Sequence, residues 1–203
     1  IFLTQDFCKF WVRIISCRSC ICALLIEAAS RAREVVTGIP TGFIDLDYKT
    51  SGLQPSDLVL IAARPSMGKT AFVLNMVQHI AMKKELPCMI FSLEMSSEQL
   101  VQRMLAMETG IDSQKLRTGN LNDNDWDPLI RGVVDVSDSK IIIDDTPGIS
   151  VGELRSKCRK VKLEKGLSIV IIDYLQLMTG SSKRSENRQQ EISEISRSLK
   201  ALA

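Results

Sequence analysis

The chain has 203 residues, 45% of them hydrophobic, enough for one substantial core with at most a small appendage. A net charge of +2 with 25% charged residues excludes a surface built throughout for nucleic acid, so any such contact has to be local. Aromatic residues make up only 5%, which argues against a stacking platform for single strands.

The chain begins at Ile1, as a fragment or a processed end would. Its apolar stretch from Phe10 to Ile26 is short for a membrane span and contains Arg13 and Arg18, so no membrane segment is expected. A secretory signal would carry its positive charge ahead of the apolar run rather than inside it. Cys8, Cys17, Cys20 and Cys22 crowd this end in a C-x8-C-x2-C-x-C spacing that suits zinc poorly, and the sole histidine is His79. Cys88 and Cys158 stand alone in apolar settings, which fits a reducing interior better than a disulfide scaffold. Residues 1–36 therefore read as a divergent leader, with a polar helical stretch from Glu27 to Glu34 as its linker helix. The breakers from Thr37 to Gly42 mark the boundary, and residues 37–203 form the domain.

Phe43 to Asp47 leads to a second break at Ser51-Gly52. Asp57 to Ala63 then has strand character and stops at Pro65-Ser66, where Gly68-Lys69-Thr70 opens a helical pattern. Strand, loop and helix in this order form a phosphate-binding loop, with backbone N–H groups and a helix N-terminus converging on a polyphosphate. The eight residues from Ala63 to Thr70 read A-x-x-x-x-G-K-T, with alanine where the general motif has glycine. Arg64, Pro65, Ser66, Met67, Gly68, Lys69, Thr70 and Ala71 are the expected ATP-binding residues. In them Lys69 supplies a charge for the β- and γ-phosphates, and the Thr70 hydroxyl is placed for Mg²⁺.

Downstream, Phe72, Met76 and Ile80, flanked by Val73 and Val77, predict a helix over 71–84. An apolar strand follows over 87–93 and ends at Glu94; Ser96 then caps a helix to about Thr109. Further helices are predicted over 123–136, capped by Asn122 or Asp123, and over 151–165. Strands over 140–145 and 167–172 end at Asp144-Asp145 and at Asp173. Strands apolar on both faces and alternating with helices predict an α/β fold, a parallel sheet flanked by helices on both sides. Ligands gather at the carboxyl ends of such strands, here Ala63, Glu94, Asp144 and Asp173. An Mg²⁺–nucleotide site needs a carboxylate there: Asp173 is the best candidate and Asp144, preceded by an equally apolar strand, its competitor, although Asp144 and Asp145 read more simply as solvated strand-end acids or a helix cap. Glu94 is placed to orient an attacking water. Arg155, Lys157, Arg159, Lys160 and Lys162 read as a solvated helix face.

Several stretches resemble the C-terminal motor domain of the bacterial replicative helicases, the DnaB family. They are Thr37-Gly38-Ile39-Pro40-Thr41-Gly42-Phe43 with Asp45, Ala62 to Thr70, Phe91-Ser92-Leu93-Glu94-Met95, Ile172 to Met178, and Glu194 to Lys200. The resemblance runs in order from Val36 to Ala203, and the family's own loop has alanine at the Ala63 position. It implies a P-loop NTPase core of RecA-like type that uses ATP and Mg²⁺. It also implies a homo-hexameric ring moving 5′ to 3′ on single-stranded DNA, with primase and a helicase loader as partners. The compartment implied is a bacterial cytoplasm or an organelle of bacterial descent. By the same analogy Glu94 is the catalytic glutamate and Asp173 the metal-linked aspartate. Lys183, Arg184 and Arg188 lie in a polar loop that either faces DNA phosphates in the ring channel or is simply solvated. The family's later strands, glutamine sensor, main DNA-binding loops and arginine finger would lie beyond Ala203, making this a motor domain truncated on its C-terminal side. A chain ending there is expected to leave an open apolar sheet edge, to aggregate readily and to bind nucleotide better than it hydrolyses it. A nucleotide-binding module without effective catalysis is the alternative reading.

Overall fold

The structure is a computed structural model that describes residues 2–4, 36–64, 66–178 and 188–203. Its centre is three parallel strands, β3 (Cys88–Ser92), β4 (Ile141–Asp144) and β5 (Ile169–Asp173), with β3 in the middle. Every residue of β3 and β5 is buried. Because successive side chains point to opposite faces, one apolar run feeds two cores. Cys88 and Ile90 join Ile169 and Ile171 on one face, against Val73, Val77, Ile80, Leu100 and Met104. Met89 and Phe91 join Val170 and Ile172 on the other, against Leu154, Cys158, Ile195 and Leu199. Full burial of each large side chain contributes roughly 1.5–3 kcal/mol. Burial also pushes the Cys88 and Cys158 thiols up to about 12, so neither is a thiolate at neutral pH.

The helices on these faces are α1 (Ile44–Thr50), α2 (Lys69–Gln78), α3 (Ser97–Thr109), α4 (Ser113–Thr118), α5 (Asp123–Asp138), α6 (Val151–Lys165) and α7 (Arg188–Lys200). Their ends are set by local chemistry. The Ser96 hydroxyl accepts from the Gln99 amide at the start of α3, and Ser150 and Glu153 form a capping box on α6. Where helix 71–84 was predicted, α2 begins two residues earlier and passes into a π-turn, His79–Lys83. The short helices α1 and α4 lie below the length at which periodicity is informative, and the sequence reading missed both.

The strand expected to run to Ala63 is laddered only at β2, Leu58–Val59. Its partner is β1 (Phe2–Thr4), which runs antiparallel to both β2 and β5 and gives the sheet order β2-β1-β5-β3-β4. The sequence reading placed residues 2–4 in no element. The cysteines at 8, 17, 20 and 22 and the Glu27–Glu34 linker helix lie outside the described residues. Among the described residues no helix is long and apolar enough to cross a membrane.

The Thr37–Phe43 stretch is a folded corner. Ile39 bridges Leu53, and the buried Asp47 carboxylate accepts from the Thr41 amide at 2.8 Å, the Thr41 hydroxyl at 2.6 Å and the Gly42 amide at 3.1 Å. Asp47 is thus the acid that organises the motif, whereas the sequence reading singled out Asp45. Gly42 has φ +90°, and a Cβ there would stand 2.6 Å from the His79 ring, so a side chain at this position is excluded on two counts.

Candidate nucleotide site

Parallel pairing aligns the carboxyl ends of β3, β4 and β5 on one edge. Ser92 is opposite Asp173, and Phe91 is opposite both Ile172 and Asp144. The phosphate loop arrives at the same edge from β2. Ser66 has φ +63° and Gly68 has φ +82°, two left-handed residues that turn the chain sharply into α2. The first amides of α2 have no acceptor within the helix and are available to an anion. Arg64, Ser66, Met67, Gly68 and Ala71 are exposed, and Pro65 lies outside the described residues.

The residues that follow the glycine converge on one carboxylate. Lys69 Nζ lies 2.7 Å from Asp173 Oδ1, and the Thr70 hydroxyl donates to Asp173 Oδ2 at 2.7 Å. Thr70 and Asp173 are 103 residues apart in the chain. Asp173 is buried, so each of its oxygens being paired satisfies a group that would otherwise be costly to hold there. Lys69 Nζ also sits over the Tyr174 ring, 4.5 Å from its centroid; the Asp173–Tyr174 peptide bond is cis. A hydroxyl and a carboxylate side by side are hard oxygen donors of the kind Mg²⁺ takes together with phosphate oxygens and water, so the residues present fit that ion.

Glu94 stands two residues beyond Ser92, exposed, on a turn fixed from both sides. The Leu93 amide donates to the Asp173 carbonyl at 2.8 Å, and the Ser92 hydroxyl donates to the Met95 carbonyl at 2.7 Å. These two bonds tie the Glu94 turn to the strand end that carries Asp173.

Asp144 is occupied elsewhere. Lys157 Nζ contacts its Oδ2 at 2.5 Å, and the Thr146 amide donates to its Oδ1. Partial burial pushes this carboxyl up, but the hydrogen bonds from Lys157 and Thr146 and the lysine charge outweigh it and leave it below the usual carboxylate range. A carboxylate depressed in the folded state contributes stability above its unfolded value, near 3.9, and loses it as pH falls through the lower folded value. Lys157→Met is therefore expected to lower the melting temperature at pH 7, with the gap to the parent chain closing below about pH 4. A gap independent of pH, in melting curves from pH 3 to 7, would remove the ion pair as its cause. Lys162 likewise donates to the Leu167 carbonyl, so the basic face of α6 is not uniformly solvated. Asp145 accepts from the Ser97 amide at the start of α3. Lys183 and Arg184 lie outside the described residues, as does the Arg188 side chain at the start of α7.

A phosphate loop joined through Lys69 and Thr70 to an aspartate at a parallel strand end, with helices on both faces, defines a P-loop NTPase domain of the RecA-like type. Solved structures agree. The ATPase domain of G40P superposes with a TM-score of 0.86 at 34% identity, covering 93% of this chain and 67% of that one. A DnaB-like replicative helicase, described with its interactions with primase, superposes at 0.83 and 34% identity, covering 93% and 45%. The chain belongs to the DnaB-like helicase C-terminal domain family, whose model matches residues 38–203. It is 58% identical to the replicative DNA helicase DnaB of Geobacillus stearothermophilus over 168 residues, 83% of this chain and 37% of that protein. It is 54% identical to the replicative DNA helicase DnaC of Bacillus subtilis (strain 168) over 178 residues, 88% and 39%. The chain thus spans about two fifths of the length of these curated relatives.

Proposed function

We propose that the chain is the phosphate-loop portion of an ATP-driven replicative DNA helicase motor, which couples ATP hydrolysis to 5′-to-3′ movement on single-stranded DNA and separation of the duplex. The observation that carries this is the convergence of Lys69 and Thr70 on Asp173 within a chain of this family. In this reading residues 64–71 wrap the triphosphate, with loop amides and Lys69 neutralising its charge. Thr70 and Asp173 hold Mg²⁺, which when bound offsets charge between the β- and γ-phosphates. Glu94 accepts a proton from the attacking water, which it orients from the neighbouring strand end. Lys183, Arg184 and Arg188 contact DNA phosphates. The intact motor works as a homo-hexameric ring, with primase and a helicase loader as partners, in a bacterial cytoplasm or an organelle of bacterial descent. Residues 37–203 are the motor domain, with Phe2–Thr4 adding a strand to its sheet and the rest of 1–36 serving as leader and linker.

The test is phosphate release from ATP with and without single-stranded DNA, on the parent chain and on Lys69→Ala. The motor predicts turnover that rises with DNA and disappears in the variant. A second reading is a nucleotide-binding module without effective catalysis. ATP binding without turnover would select it. Failure to bind ATP with Mg²⁺ at millimolar concentration would overturn both.

A further inference from the structure

We propose that Tyr174 is a positioning residue for Lys69, holding the ammonium group at Asp173 in competition with phosphate and thereby setting the threshold for nucleotide binding. This rests on the nucleotide reading of the site given above.

Two features of the strand end hold the same atom. Lys69 Nζ is 2.7 Å from Asp173 Oδ1 and 4.5 Å from the centroid of the Tyr174 ring, within the range of a cation–π contact. The lysine side chain is about a quarter exposed, the Asp173 side chain only 9%, and Tyr174 is partly buried, so the cation meets the ring in a partly desolvated setting. Partial desolvation strengthens attraction between a cation and a ring face. The Thr70 hydroxyl occupies the other Asp173 oxygen at 2.7 Å, so two successive loop residues are bound to one carboxylate.

A magnesium–triphosphate asks for the same groups differently distributed. Phosphate oxygens take the lysine, while the metal takes the hydroxyl and the carboxylate. Lys69 therefore has to give up Asp173 and the ring face together. The loss at Asp173 is offset, because a divalent cation replaces one ammonium charge beside that carboxylate. The loss at Tyr174 has no such replacement, since its ring takes no part in holding phosphate or metal in this reading. The tyrosine accordingly opposes binding, and only through Lys69.

The experiment uses the 203-residue chain and titration with a fluorescent ATP analogue in the presence of Mg²⁺. Tyr174→Leu, which keeps apolar bulk and removes the ring, is expected to tighten the dissociation constant about two- to five-fold. Tyr174→Phe keeps the ring face and is expected to restore affinity near that of the parent. In a Lys69→Met background, itself binding more weakly, Tyr174→Leu is expected to have no effect. Thermal unfolding of each variant identifies any that do not fold, and Tyr174→Met then replaces Tyr174→Leu. Unchanged or weaker affinity in the ring-less variant overturns the proposal, as does an equal shift in both lysine backgrounds. If Lys69→Met binds the nucleotide as tightly as the parent, the nucleotide reading itself fails, and this inference with it.

Discussion

Replacing Lys69 by alanine is expected to weaken ATP binding by about 10- to 150-fold, whereas Glu94→Gln is expected to leave binding intact and slow turnover by about 100- to 10,000-fold. The first figure follows from losing a hydrogen bond to a charged group, about 1.5–3 kcal/mol. The second is the usual contribution of a positioned general base. The two residues differ in what they touch. Lys69 begins α2 at the end of the loop and is bound to Asp173, so its loss removes a charge from the phosphate side and leaves a buried carboxylate with the Thr70 hydroxyl as its side-chain partner among the described residues. Glu94 is exposed on the turn after β3, held through the Leu93 amide and the Ser92 hydroxyl rather than through its own carboxylate. Amide for carboxylate at that position therefore changes the chemistry and not the scaffold. Equilibrium titration with ATP and initial rates of phosphate release separate the two. Parental affinity in Lys69→Ala would sink the nucleotide site, and parental turnover in Glu94→Gln would remove that residue as the base.

Phe91→Ala is expected to destabilise the fold by about 3–5 kcal/mol, the range for emptying a buried aromatic site. Phe91 is fully buried in the central strand, opposite Ile172 on one side and Asp144 on the other, and its side chain belongs to the core shared with Leu154, Ile195 and Leu199. A loss of this size is a large fraction of the roughly 5–15 kcal/mol that holds an ordinary domain together. The control is Leu163→Ala on α6: Leu163 is 87% exposed, and an effect within about 0.5 kcal/mol is expected. Denaturant unfolding of both variants gives the comparison. A Phe91 effect as small as the Leu163 one would mean that the two cores do not share the sheet as described. Because Phe91 lies three residues before Glu94, on the strand that leads into its turn, the destabilised variant should also lose turnover before it loses ATP binding.

Most of the local architecture is legible in the chain. The helix cap at Ser96 works because a hydroxyl beside an unsatisfied amide is a short-range matter. The apolar runs at Cys88–Ser92 and Ile169–Asp173 are buried strands as read, since a segment covered on both faces has to be apolar throughout. On α7, Ile195 and Leu199 are buried, and Leu202 just beyond the helix is buried with them. Less legible was Asp47, which looks like any surface acid until the corner it closes is folded. The capping box at Ser150 and Glu153 was within reach, because its S-x-x-E spacing precedes an amphipathic run.

From its residues alone the chain determined the phosphate loop, the alternation of apolar strands with helices, and the acids that end those strands, since each depends on neighbours a few positions apart. Tertiary structure decided which acid meets the loop. It gave Asp144 to Lys157, brought Asp173 to Lys69 and Thr70, laid Tyr174 under the lysine, and set Phe2–Thr4 between β2 and β5. The physical reason is distance along the chain. Strand order and the pairing of Thr70 with Asp173, 103 residues apart, arise from burial of two cores at once, which no local periodicity encodes.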